Sequence, residues 1–296
     1  MQTCLYAEMK LDGSGIKLER IFEGGDIAVD ANAGTGTDAL ITFTSYEKSG
    51  GANRGAFSGA VERLGRPSVL FISKWNHWFN SHELPKAIEA VNKFLKPYSN
   101  RTLIGPSMGG HTAIRLATRL EATAVVAISP QFCIRSTLVP FETRWRKEAN
   151  NISDWDQGIH NTQYNALTYV IFDSEDEADS KHTQLISESV PTTLIGLPYS
   201  GHSSAQALAD LGLLSLLFRF DASEENNQKL VTAIEKKYLI HGGNSASVLL
   251  NKLKTLNLPE QREMVESVSD DIIGISKSRE NLKNFLSNRQ LSIERL

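Results

Sequence analysis

Cysteine is scarce in this chain: Cys4 and Cys133 are the only two among 296 residues. Two are too few for a disulfide framework or a cysteine-only zinc site, so a reducing compartment fits and both read as small packed hydrophobes. An excess of positive charge is also lacking. Lys and Arg total 31 against 34 Asp and Glu, a formal charge of -3, without the basic surplus that phosphate-backbone binding needs, so no nucleic-acid partner is expected. Long apolar runs are missing as well. The longest nearly apolar stretch, LGLLSLLF from Leu211 to Phe218, falls far short of the roughly 20 residues of a bilayer span. The start, MQTCLYAEMKLDG, has no basic stretch leading into an apolar core. These absences point to a soluble, cytoplasmic protein with no membrane partner.

What is present is an alternation. Hydrophobic residues make up 41% of the chain, enough for a sizeable core. From about residue 39 to residue 220, short β-rich runs alternate with helix-like segments, the pattern of a mostly parallel α/β sheet flanked by helices. The strand candidates are Ala39–Ser45, Ser68–Ser73, Arg101–Gly105, Ala124–Ser129, Leu167–Asp173 and Thr192–Pro198. Each is nearly continuous in apolar and β-branched residues, as strands buried on both faces should be. Between and after them, Glu83–Tyr98, Gly109–Leu120, Ser180–Val190 and Ser204–Phe218 read as helices. The first 38 residues, with turn glycines at Gly13, Gly15, Gly24 and Gly25, suit an antiparallel hairpin on one sheet edge. After Phe220 the texture changes to amphipathic helical segments without a strand. The expected division is therefore residues 1–220 as a catalytic domain, with a short cap insertion at about 131–165, and residues 221–296 as a helical extension. A chain ending at Phe220 is expected to keep a folded core.

One stretch carries chemistry. Gly105-Pro106-Ser107-Met108-Gly109 ends a strand candidate and opens a helix candidate, the context in which G-x-S-x-G means a nucleophile turn. Small residues must flank a serine on so sharp a corner, and the N–H groups at the following helix start, that of Met108 included, can meet a developing oxyanion. Serine needs a histidine base oriented by a carboxylate. At the carboxyl ends of later strands lie Asp173, Glu175, Asp176, Glu177 and Asp179, then His202.

Over roughly residues 39–220 this order of strand, elbow serine, acid, histidine and final helix resembles the α/β-hydrolase superfamily. The resemblance implies a triad of Ser107, Asp176 and His202. Asp173 stands where the family's acid loop has a glycine-like turn, which leaves it a competitor for the acid, with Asp179 a further one. The resemblance also implies a second oxyanion donor just after the third strand, from Ser45 or Tyr46, although the His-Gly pair common in lipases is lacking there.

Other residues carry weaker signals. Trp75 and Trp78, after the fourth strand, are candidates to line a pocket or stack on a sugar, and His111, just inside the elbow helix, is a candidate substrate contact. His77 and His82 lack a second cluster, so no metal is expected. His160, His182 and His241 read as surface residues. Gly34–Asp38 superficially suggests a dinucleotide loop, but precedes a strand and opens no helix. Arg135, Arg144, Arg146 and Lys147 make the cap segment locally basic, either as a solvated face or as a site for an acidic substrate. Together these features predict a serine hydrolase of the carboxylesterase kind, working without a cofactor on a small acyl substrate such as an acylated sugar. The alternatives are an acyltransferase with the same triad, or a non-catalytic scaffold whose helical tail binds a partner. The tail's apolar stripes must be buried, on the sheet or against a second copy in a homo-oligomer.

Overall fold

The structure, a computed structural model, describes residues 18–47, 57–156, 158–159, 164–268 and 271–293. Cys4, Gly13, Gly15 and His160, together with parts of the expected cap, lie outside the described residues. Eight strands form one sheet: β1 (Glu19–Glu23), β2 (Ile27–Asn32), β3 (Asp38–Phe43), β4 (Ser68–Ser73), β5 (Asn100–Pro106), β6 (Ala124–Ile128), β7 (Leu167–Phe172) and β8 (Thr193–Gly196). Their spatial order is β1-β2-β4-β3-β5-β6-β7-β8. β2 runs antiparallel to β1 and to β4, and every other pairing is parallel. The N-terminal hairpin and the six predicted strands are thus in place.

Helices α1 (Ser58–Leu64), α2 (Leu84–Leu95), α3 (Met108–Leu116), α4 (Arg146–Asn151), α5 (Glu177–Ser189) and α6 (Ser204–Asp210) follow their strands around the sheet. α7 (Leu214–Leu217), α8 (Glu224–His241), α9 (Ala246–Thr255), α10 (Leu258–Ser267) and α11 (Ser276–Ser287) complete the chain. The predicted helix Ser204–Phe218 is two short ones, because Gly212 takes a left-handed φ of +64° between them. α1 has no counterpart in the sequence reading. β8 departs from the expectation of burial on both faces: as the edge strand it leaves Thr193, Leu194 and Gly196 exposed.

Strand alternation divides the core in two. Ile41, Val69, Phe71, Leu103, Val125 and Val170 point to the face covered by α2 and α3. Their neighbours Leu40, Leu70, Ile104, Val126 and Ile171 point to the opposite face, with Ala207 and Leu208 of α6. The core does not stop at Phe220. Leu230, Val231, Ile234 and Tyr238 of α8 belong to the second cluster, and the Tyr238 hydroxyl donates to the Pro198 carbonyl at 2.7 Å. α8 is therefore a sheet-covering helix, so a chain ending at Phe220 would open this face rather than leave it closed. Beyond α8, residues of α9, α10 and α11 build a smaller cluster of their own around Leu249, Leu253, Val265, Leu282 and Leu286.

Two residues of α8 test this. Ile234 is 0% exposed and Leu239 is 86% exposed. Ile234→Ala should lower unfolding free energy by about 2–5 kcal/mol through lost burial and a cavity, whereas Leu239→Ala should change it by less than about 0.5 kcal/mol. Equal midpoints for the two variants in chemical denaturation would show that α8 does not pack on the sheet.

Candidate active site

The corner at Ser107 is dictated by close backbone approach. A Cβ on Gly105 would lie 2.3 Å from the carbonyl carbon of Gly109, and one on Gly109 would lie 2.7 Å from the Phe43 oxygen. Any side chain at either position would push α3 away from β5 and β3. Held between them, Ser107 adopts φ 49° and ψ -116°, a conformation rare for a residue with a side chain. Its N–H donates to the Ile128 carbonyl at 2.7 Å, and its own carbonyl accepts from His111 N–H at 3.0 Å. The hydroxyl is left to project past the end of the sheet.

His202 meets it there. Ser107 Oγ lies 2.9 Å from His202 Nε2, and His202 Nδ1 lies 2.9 Å and 3.0 Å from the two oxygens of Asp179. The carboxylate on the histidine is Asp179, so the sequence assignment of Asp176 is corrected. The physical reason is local. Asp176 is the N-cap of α5, and its carboxylate accepts the Asp179 N–H at 2.8 Å. With the helix started there, its first turn presents Asp179 to the histidine. Asp173 fills a third role. Its carboxylate accepts N–H bonds from Glu175, Tyr199 and Gly201 at 2.7–2.9 Å, tying the turn after β7 to the loop that carries His202. Burial raises the Asp173 pKa, only partly offset by those bonds. Asp179, although burial opposes its charge, is held below the ordinary carboxylate range by the hydrogen bond and charge of His202 and by Arg144.

Serines lock the same loop from below. Ser129 Oγ is 2.9 Å and Ser200 Oγ 2.8 Å from Ser204 Oγ, whose hydroxyl lies 2.8 Å from the Gly201 carbonyl. Gly201 has φ +72°, and a Cβ there would sit 2.4 Å from the Asn251 side chain of α9, whose amide donates to the Tyr199 carbonyl at 3.2 Å.

Gln131 is the residue the sequence reading missed. Fully buried, it donates from Nε2 to Ser107 Oγ at 3.0 Å, and its Oε1 accepts the Trp78 indole N–H at 2.9 Å. A glutamine three residues past β6 carries no motif; only the fold places it beside the serine. Trp78 therefore reaches the site through Gln131, while Trp75 does not: its indole N–H is given to Asp26 at 2.8 Å, at the β1–β2 turn. His111 is buried, its Nδ1 2.9 Å from the Gln131 carbonyl, and burial together with Arg115 lowers its pKa to about 3, so it stands neutral. His111 and Trp78 both border a cavity of about 330 Å³ with Arg115, Phe132 and Trp155. Tyr46 packs on Trp145 at 4.7 Å between ring centroids, and Trp145 on His202 at 5.7 Å. Ser45 and Tyr46 follow β3, the strand end against which Gly109 abuts.

His182 is another correction: rather than lying at the surface it is fully buried, accepting from Phe132 N–H at Nδ1 and facing Glu142 at 2.9 Å through Nε2. His77 is buried too, with burial pushing its pKa down to about 4. His82 and His241 are exposed. Among the described residues no cluster of three or more His, Cys, Asp or Glu is placed to hold a metal, and no helix is long and apolar enough to cross a membrane.

No family model matches the sequence, and no curated protein matches it. Solved structures are similar at a distance. The capsule O-acetyltransferase of Neisseria meningitidis serogroup A shares 12% identity, with 67% of this chain and 92% of that one covered at a TM-score of 0.48. An α/β serine hydrolase without a lid from Xanthomonas campestris shares 18% over 70% and 94%, at 0.44. An α/β serine hydrolase homologue from Coxiella burnetii shares 14% over 69% and 96%, at 0.46. Likeness this remote says nothing of activity. The chain's own eight-stranded, mostly parallel sheet with flanking helices is the α/β-hydrolase-like fold that the sequence resemblance implies.

The three acids separate cleanly by substitution. Asp179→Asn should lower turnover on the order of ten-thousandfold, the scale of the loss when a carboxylate that orients a catalytic histidine becomes an amide. Asp176→Asn keeps a good N-cap and should leave activity nearly unchanged. Asp173→Asn should fall between them, by loosening the His202 loop. Ester turnover measured side by side decides the matter, and a greater loss for Asp176→Asn would refute the geometry.

Proposed function

We propose that the protein is a serine hydrolase that cleaves a carboxylic ester or a related acyl bond through an acyl-enzyme. The observation that carries this reading is the unbroken run from Ser107 Oγ to His202 to Asp179 at a strained strand-to-helix corner. Ser107 attacks the acyl carbonyl as His202 Nε2 takes its proton; His202 then gives the proton to the departing alkoxide. Asp179 holds the Nδ1–H tautomer and balances the imidazolium that forms. The Met108 N–H at the start of α3, with that of Ser45 or Tyr46 beside it, is the oxyanion site in this reading.

Gln131 holds the serine oxygen in line with His202, and being itself fixed by Trp78 it needs no rearrangement to do so. Water completing the cycle must approach His202, whose side chain is 21% exposed. A sugar hydroxyl lying against Trp145 would take the same path, which would make the enzyme a transferase instead. Trp145 packs on His202 and Tyr46 on Trp145, a pair of faces on which the flat apolar side of an acylated sugar could rest. The scaffold reading has little support, because no member of the triad is missing.

A fluorophosphonate probe tests the reading directly, since only an activated serine labels quickly. The parent protein should label at Ser107 and turn over p-nitrophenyl esters, with short acyl chains and acetylated sugars compared to find the substrate. Ser107→Ala should do neither while keeping its circular dichroism. An unlabelled parent, or a Ser107→Ala variant labelled as fast as the parent, would end the proposal.

A further inference from the structure

Behind the triad lies a buried charge cluster that the mechanism above does not use. Arg144, in the segment between β6 and α4, places Nη2 2.9 Å from Asp179 Oδ1 and 2.7 Å from Glu142 Oε2. Its Nε lies 3.1 Å from each Glu142 oxygen, and Glu142 also accepts the Arg144 backbone N–H at 2.7 Å. The guanidinium thus forks onto Glu142 and reaches past it to the triad carboxylate. The Asp179 and Glu142 side chains are 2% and 0% exposed and that of Arg144 27%, so these charges are only partly screened. His182 closes the far side, 2.9 Å from Glu142.

Asp179 therefore has two partners, the His202 imidazole and the Arg144 guanidinium, on one carboxylate. We propose that Arg144 is a positioning residue that sets the pH range of the reaction, because its guanidinium draws on the same carboxylate that orients His202. Glu142 moderates that effect by balancing part of the Arg144 charge. The inference rests on Ser107 and His202 being nucleophile and base.

Among the described residues, besides Arg144 and Glu142, the charged and titratable groups around His202 and Asp179 come from three elements. α5 contributes Asp176, whose Oδ1 is 3.9 Å from Arg144 Nη1, and the buried His182. The turn after β7 contributes Asp173, bonded to the backbone at Tyr199 and Gly201. α9 contributes Lys252, lying over the Tyr199 ring at 5.5 Å. Among these groups Arg144 is the cation in direct contact with the triad carboxylate, at 2.9 Å, and two Glu142 oxygens hold its Nε. Burial alone would favour losing its proton, yet the bonds to Glu142 and the charge of Asp179 push its pKa above the ordinary arginine value, so it stays charged throughout the working range.

The experiment is the pH dependence, from about pH 4 to 9, of fluorophosphonate labelling and of p-nitrophenyl acetate kcat/KM, whose acid limb reports the free base. Arg144→Gln should move that limb upward by about half to one pH unit, the size expected for losing one nearby charge in a partly screened site. Arg144→Lys should restore part of the parental position. Glu142→Gln leaves Arg144 uncompensated and should move the limb the other way, downward. This opposite sign is what a merely structural role would not produce, and it keeps the proposal testable should Arg144→Gln fail to fold. A limb that stays in place in a folded Arg144→Gln, or that rises in Glu142→Gln, overturns the role of Arg144. Labelling that survives Ser107→Ala overturns instead the assignment of the nucleophile.

Discussion

The close contact between the end of β5 and the start of α3 is the constraint on which the site depends. Three glycines in six residues, Gly105, Gly109 and Gly110, let two backbones meet where any Cβ would collide, and the serine between them is forced into a left-handed φ. Such a conformation costs on the order of 1–3 kcal/mol and persists only where surrounding structure over-determines it. The surroundings do so here. Seven described non-glycine residues have positive φ, and five of them, Trp78, Phe79, Ser107, Ser129 and Tyr199, follow the carboxyl ends of β4, β5, β6 and β8. Four of those five do something for the site. Ser107 presents its hydroxyl to His202, Trp78 orients Gln131, Ser129 pins Ser204 under the His202 loop, and the Tyr199 carbonyl takes the Asn251 amide. Strain is thus collected at one edge of the sheet, while the packed core on either face supplies the rigidity that holds it.

Two carboxylates six residues apart divide the work that sequence alone could not apportion. Asp173, at the end of β7, uses its oxygens on backbone N–H groups and so shapes the loop on which His202 sits. Asp179, one helical turn into α5, uses its own on the imidazole. Between them Asp176 starts the helix that aims Asp179. The three acids form one device in which the turn, the cap and the partner of the base are each a single side chain. None can stand in for another, since each is already committed to a different hydrogen bond.

This division also shows what could be read in the sequence and what could not. Strand alternation, the elbow serine and His202 were legible, because each leaves a local mark: β-branched runs, glycines at fixed spacing, a histidine just past the last strand. The acid was not, because five carboxylates crowd Asp173 to Asp179 and the choice depends on where α5 begins. The spacing Asp-x-x-acid occurs at both Asp173 and Asp176, so it could not mark which of them starts the helix. Gln131 and Glu142 left no mark, and Arg144 read only as part of a locally basic cap; their meaning comes from a chain segment folding back over the sheet edge. His182 looked like a surface residue in sequence because nothing near it announces that Glu142, forty positions away, will cover it. Trp75 and Trp78, three residues apart on one strongly turned loop, face different neighbours for the same reason.

The C-terminal helices bear on the site without entering it. Asp210, at the end of α6, accepts from Ser245, Ser247, Ser278 and the Ile275 N–H, so a single buried carboxylate ties α9 and α11 to the helix that follows the His202 loop. α9 in turn lays Asn251 against Gly201, where even a methyl group would not fit. The His202 loop is therefore held from two directions: from α5 and the Arg144 segment through Asp179, and from the last helices through Asn251. A histidine on a loop past the sheet edge can keep a 2.9 Å contact with a strained serine only if its backbone has nowhere else to go. Both clamps act on that backbone or on the ring it carries. The segment after Phe220 is in this way part of what holds His202 in place.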